Sequence, residues 1–172
     1  LALCVCAIFL FFLYKELVMD CIFCKIAKGE IPSAKIWESE EHIAILDINP
    51  NTKGAALVMP KRHHNSYVFD MASEDYAKLL DAAKQVAKIL EKGLNVQRVA
   101  MVMEGTGIDH AHIKLYPLHG ISKDASGIEA EQRAFFEEYP GYVTTLLGPQ
   151  ADFNELKKLA EEIRRKAGIA QP

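Results

Sequence analysis

The stretch richest in reactive side chains is Asp109-His110-Ala111-His112-Ile113-Lys114-Leu115-Tyr116-Pro117. On an extended strand, successive side chains point to opposite faces. His110, His112 and Lys114 then share one face, and Ala111, Ile113 and Leu115 share the other, which suits a core. Two imidazoles and an ammonium side by side repel when charged. A bound anion such as phosphate would relieve that cost, as would a metal on one imidazole. A solvent-facing polar edge of an amphipathic strand would produce the same pattern. The pair Cys21-x-x-Cys24 is open to three readings. It suits a redox couple at a helix start with a depressed thiol pKa. It equally suits half of a thiolate metal site completed by histidines, or two buried free thiols. Of the other histidines, His42 reads as a surface residue among charges, His64 directly follows His63, and His119 lies just beyond Pro117. Lys61 and Arg62 fit phosphate steering or a solvated loop.

The elements that must carry these residues can be read from the rest of the chain. Its 172 residues suit one domain with an appendage. Half the residues are hydrophobic and a quarter charged, enough for a core without staples. Disorder, collagen and disulfide scaffolds are thereby excluded. Twenty basic against 23 acidic residues leave a net charge of −3, which offers no electrostatic reason for a nucleic-acid partner. Four cysteines are too few for a secreted disulfide framework.

Residues 1–14 are uninterruptedly apolar (LALCVCAIFLFFLY). They fall short of the roughly 20 residues a membrane-crossing helix needs. The run has neither a preceding basic stretch nor a cleavage site. Met19 therefore reads as the natural start and residues 1–18 as upstream sequence, the alternative being the remnant of a membrane anchor. Cys4 and Cys6 count there as apolar residues.

Beyond that point a short helix is expected over Cys21–Lys28, closed by Gly29. Strands follow over Ala34–Glu38, His42–Ile48 and Ala55–Met59. From Ser73, expected as N-cap, the apolar period becomes helical through Leu90, with Gly93 as the stop. Strands are expected again over Arg98–Met103 and Ile108–Tyr116. Helical stretches follow over Glu129–Glu138 and Phe153–Lys166. The class is α+β with an antiparallel sheet of about five strands.

In order along the chain, Met19-Asp20-Cys21-Ile22-Phe23-Cys24-Lys25-Ile26 with Gly29-Glu30-Ile31-Pro32-Ser33, then Leu46-Asp47-Ile48-Asn49-Pro50, Val58-Met59-Pro60-Lys61-Arg62-His63 and the His110 segment resemble the signatures of the histidine triad family of nucleotide-binding proteins. The resemblance covers residues 19–120. It implies the histidine triad fold, a sheet with the long helix packed on it, followed by a C-terminal helical extension over residues 121–172. That extension is expected to dock on the domain and close over its pocket. The resemblance further implies that His112 is the nucleophile toward an α-phosphorus, with His110 and Lys114 beside it in the catalytic set. Phe23, Ile26 and Ile48 would line the base and sugar pocket, Asp47 would accept from ribose hydroxyls, and Gly105 and Gly107 would let backbone approach the phosphates. Core packing remains open for Phe23 and Ile26, and turn roles for Asp47 and the glycines. Structural zinc is implied on Cys21, Cys24, His63 and His110. The implied protein is a cytoplasmic homodimer acting on small nucleotides, with neither nucleic acid nor membrane as a partner of the domain.

Three departures stand out. Lys114 replaces the third triad histidine, Met103 an asparagine and Gly107 a serine. An ammonium neutralises phosphate charge but accepts no hydrogen bond. The expected activity is hydrolysis or transfer at the α-phosphate of dinucleoside polyphosphates or nucleoside phosphoramidates. A nucleotide-binding module with faded catalysis and a metal-dependent hydrolase using His110 and His112 as ligands are the competing readings.

Overall fold

Two strands of this chain carry almost no polar side chains, and they form the centre of its sheet. The computed structural model describes residues 21–121 and 130–144. The apolar run over 1–18 and the helix expected over 153–166 lie outside the described residues. The elements are α1 (Ile22–Ala27), β1 (Lys35–Glu38), β2 (His42–Leu46), β3 (Ala56–Pro60), a single 3₁₀ turn (Val68–Asp70), α2 (Ser73–Leu94), β4 (Val99–Val102) and β5 (Ile113–Pro117). The strands form one antiparallel sheet in the order β1-β2-β3-β5-β4. β2 and β3 are buried on both faces, which is why His42-Ile43-Ala44-Ile45-Leu46 and Ala56-Leu57-Val58-Met59 read as near-continuous apolar runs.

Each face of the sheet has its own core. Ala44, Ala56, Val58, Ala111, Ile113 and Leu115 pack against Leu79, Ala82, Ala83, Val86 and Leu90 of α2. Those α2 residues recur at the three-to-four spacing of one helix face. On the opposite face, Phe23 and Ile26 of α1 pack on Ile43, Ile45, Leu57 and Met59. Leu79 is fully buried between α2 and the sheet. Leu79→Ala is expected to cost about 3 kcal/mol, read as a lower urea midpoint at unchanged slope. A midpoint that does not move would mean that α2 is not held by this contact.

Several boundaries differ from the sequence expectation. The N-cap of α2 is Ala72, with no side-chain cap bond, and Ser73 is already helical. Gly93 stays inside the helix. The stop is Asn95, whose left-handed backbone (φ 52) Asn tolerates better than most residues. β5 begins at Ile113 rather than Ile108, because β3 ends at Pro60 and the loop beyond takes over: the Ala111 N–H donates to the His64 carbonyl at 2.8 Å. Residues 130–138 form bends and irregular chain rather than the expected helix. They belong to a second compact unit, Ser126–Pro172, in which Phe136 and Tyr142 meet edge to face at 5.8 Å. Among the described residues no helix is long and apolar enough to cross a membrane.

Candidate functional site

His110 and His112 precede β5, yet the alternation expected of a strand holds through them. Ala111, Ile113 and Leu115 join the α2-side core. His110 and His112 turn to the other face, edge-on to the Phe23 ring at 5.8 and 5.3 Å. Both are buried, at 0% and 7% exposure, which removes the solvent-edge reading.

Each imidazole has a fixed tautomer. His112 Nδ1 lies 2.7 Å from the His110 carbonyl oxygen, and a carbonyl only accepts, so Nδ1 carries the proton and Nε2 keeps its lone pair. Burial holds the His112 pKa below the ordinary imidazole value, opposed by the hydrogen bond to the His110 carbonyl; Lys114 lowers it further. The ring is neutral at pH 7. His110 is the mirror case: its Nε2–H donates to the Pro60 carbonyl at 2.8 Å, leaving the Nδ1 lone pair facing inward. Burial brings its pKa down to about 4.

That inward nitrogen meets the cysteine pair. Cys21 Sγ and Cys24 Sγ lie 3.4 and 3.5 Å from His110 Nδ1, and Cys24 Sγ lies 3.5 Å from His63 Nδ1. One donor atom from each of Cys21, Cys24, His63 and His110 falls within 4.8 Å of all the others. Two sulfurs and two imidazole nitrogens, one imidazole oriented by a carbonyl behind it, fit a closed tetrahedral ion with bonds of about 2.0 to 2.3 Å. Burial, aided by Cys21, pushes the Cys24 thiol up to about 12, a cost that a bound cation would relieve by holding the thiolate. His112 stands outside the cluster, against its use as a metal ligand. His64 is outside as well, with Nε2 3.9 Å from Asp75.

The remaining expected residues are distributed as follows. Asp47 spends one carboxylate oxygen on the Asn49 N–H, at 2.8 Å, in the turn role left open for it, while its charge still reaches His112 and Lys114. Phe23 and Ile26 lie in the α1-side core, so they offer a ligand only their edges. Ile48, next to Asp47, is 90% exposed. Gly105 and Gly107 both have positive φ. A Cβ on Gly105 would come within 3.4 Å of the Ser66 carbonyl, whereas Gly107 borders open space. The Ser66 hydroxyl donates to the Gly105 carbonyl, and the Ser66 N–H donates to Asp109 Oδ1. These bonds pin the loop ahead of the histidines. His42 is buried rather than on the surface. His119 binds the Lys53 carbonyl instead of the site. Lys61 pairs with Glu38 at 2.8 Å.

One residue had no place in the sequence reading. Glu104 Oε2 accepts from Lys114 Nζ at 2.6 Å, and the bond to Glu104 raises the Lys114 pKa. The β4–β5 register, Val102 opposite Lys114, could have flagged Glu104, but the connecting loop hides that register in the sequence.

Residues 28–124 match the family model of the HIT domain. The adenosine 5'-monophosphoramidase hnt1 of Schizosaccharomyces pombe is 33% identical over 149 residues, covering 86% of this chain and 98% of its own. The adenosine 5'-monophosphoramidase HNT1 of Saccharomyces cerevisiae is 31% identical, covering 85% of this chain and 82% of its own. Among solved structures, a protein of Streptococcus mutans UA159 superposes with a TM-score of 0.61 at 31% identity, over 86% of this chain and 85% of its own. A Zn-bound histidine triad family protein of Mycobacterium smegmatis gives a TM-score of 0.53 at 28% identity, over 66% and 85%.

Proposed function

This chain belongs to the HIT domain family, and on that premise we propose that it hydrolyses nucleotide derivatives at the α-phosphate through a nucleotidyl-His112 intermediate. The observation that carries the reading is the His112 Nδ1–H bond to the His110 carbonyl, which leaves a neutral, oriented Nε2 lone pair. The phosphoramidases named above support the substrate class, nucleoside phosphoramidates, with dinucleoside polyphosphates as the second class.

In this reading Nε2 attacks the α-phosphorus and the bond to the leaving group breaks. The leaving group departs with that electron pair and takes up a proton from solvent. Water then attacks the phosphorus and gives a proton back to solvent, the P–N bond breaks with its electron pair returning to Nε2, and the nucleotide and neutral imidazole are restored. Splitting one displacement into two is the gain of covalent catalysis. Ile48, Asp47 and the edge of Phe23 hold base and ribose. Gly107 lets the backbone approach the phosphate. Cys21, Cys24, His63 and His110 would hold a zinc ion, which would supply a structural crosslink. That crosslink would tie α1, and with it Phe23, to the sheet beneath His112. The family resemblance supports a dimer.

Rapid quenching at alkaline pH during turnover is expected to yield intact chain carrying one added nucleotidyl group, located at His112 by peptide mass spectrometry. Unmodified chain under steady turnover would remove the covalent route. The pH profile provides a second check. The nucleophile must be unprotonated, and burial lowers the His112 pKa. The acid limb of kcat/KM should therefore fall below about 6.5, the ordinary imidazole value. A limb at or above that value would contradict the assignment.

A further inference from the structure

Glu104 lies two residues past the end of β4. Because Val102 pairs with Lys114, the chain leaving β4 runs beside the strip of face that holds His112 and Lys114. The Glu104–Lys114 ion pair spans 2.6 Å, with the two side chains only 11% and 27% exposed. The Glu104 charge also acts on His112.

The layout sets the direction of a bound phosphate chain. On the His110 side of His112 the face is closed by Phe23 and the cysteine–histidine cluster. Along β5 in the other direction the next side chain on that face is Lys114, roughly 7 Å on. A phosphate chain laid along β5 from His112 would run toward that pair. That spacing along the strand is inside the Debye length of about 8 Å at physiological ionic strength, and the pair is half buried, so its net charge acts on a group bound beside it.

We propose that Glu104 is a specificity-determining residue. By neutralising Lys114 it disfavours polyanionic leaving groups and favours nucleotide derivatives whose leaving group is an uncharged amine. The inference rests on the hydrolase reading above. A lone Lys114 would present one positive charge and attract the extra charges of a polyphosphate. Paired with Glu104, and with the Asp47 charge also acting on it, Lys114 presents less, so an amine leaving group loses nothing while a phosphate chain loses much of that attraction.

The test uses the full chain and its Glu104→Gln and Lys114→Gln variants, each a near-isosteric replacement, with thermal melts to confirm folding. Two ratios are read: kcat/KM for diadenosine tetraphosphate over adenosine phosphoramidate, and affinity for ATP over AMP by titration calorimetry. Glu104→Gln is expected to raise both ratios about tenfold, and Lys114→Gln to lower both by a similar factor. Opposite shifts are the signature of a charge pair, which a merely structural role would not produce. Ratios that stay put, or that move the same way in both variants, overturn the proposal. Wild type that turns over neither substrate would defeat the hydrolase reading, and the ATP/AMP affinity ratios would still decide on Glu104.

Discussion

Replacing His112 with Ala is expected to lower AMP release from adenosine phosphoramidate by at least about 10,000-fold, while AMP affinity changes by less than about tenfold. The loss is this large because, among the described residues, neither neighbour on that face can take over. His110 has its Nε2–H committed to the Pro60 carbonyl and its Nδ1 turned to the cysteines, so neither nitrogen can reach a phosphorus. Lys114 is held protonated by Glu104 and has no lone pair to offer. Affinity survives because Asp47 and Ile48 are untouched. Chromatographic assay of AMP alongside calorimetry on the same preparation separates the two effects. Comparable turnover in both proteins would place the nucleophile elsewhere. Turnover by neither, with AMP bound, would favour a binding module.

Cys24→Ser, or removal of metal with a strong chelator, is expected to lower Tm by about 10 °C or more. Loss of a structural metal site removes several kcal/mol of folding free energy, and at this chain length about 1 kcal/mol moves Tm by about 2–4 °C. Cys24 is buried between His63 and His110, and α1 is only six residues long, too short to hold itself. Metal loss should free α1 first, seen as rapid amide exchange over 22–27 while α2 stays protected. Turnover should fall with it, since Phe23 no longer backs His112. Protein that carries no zinc as purified, and whose Tm a chelator leaves unchanged, would reduce the cluster to hydrogen-bonded thiols and imidazoles.

Both predictions start from residues already conspicuous in the sequence. The His-x-His-x-Lys alternation predicts which side chains share a face, and it holds even though the strand begins three residues later than its first histidine. That persistence has a local cause: extended backbone alternates whether its partner is a strand or the His64 carbonyl. The apolar runs of β2 and β3 and the helical period after Ser73 were legible for the same reason, since burial of a face writes its period into the chain. Helix ends were less so. Ser73 and Gly93 carry the usual signals, but the cap fell on Ala72 and the stop on Asn95, where the path of the chain between helix and strand decided.

Contacts between distant segments belong to the tertiary structure alone. Cys24 meets His63 across 39 residues and His110 across 86. No spacing rule distinguishes His63 from His64 there; the direction of the loop after β3 does. The tautomers of His110 and His112 depend on the carbonyls of Pro60 and His110, backbone atoms that every residue type carries and that no motif marks. Glu104 finds Lys114 through a strand register that the intervening loop conceals. The chemical groups and the faces they occupy were readable from the chain, because both follow from side-chain type and local periodicity. Folding decided which lone pair is free, which histidine faces the thiols and which carboxylate neutralises the lysine, because each depends on where a remote piece of backbone comes to rest.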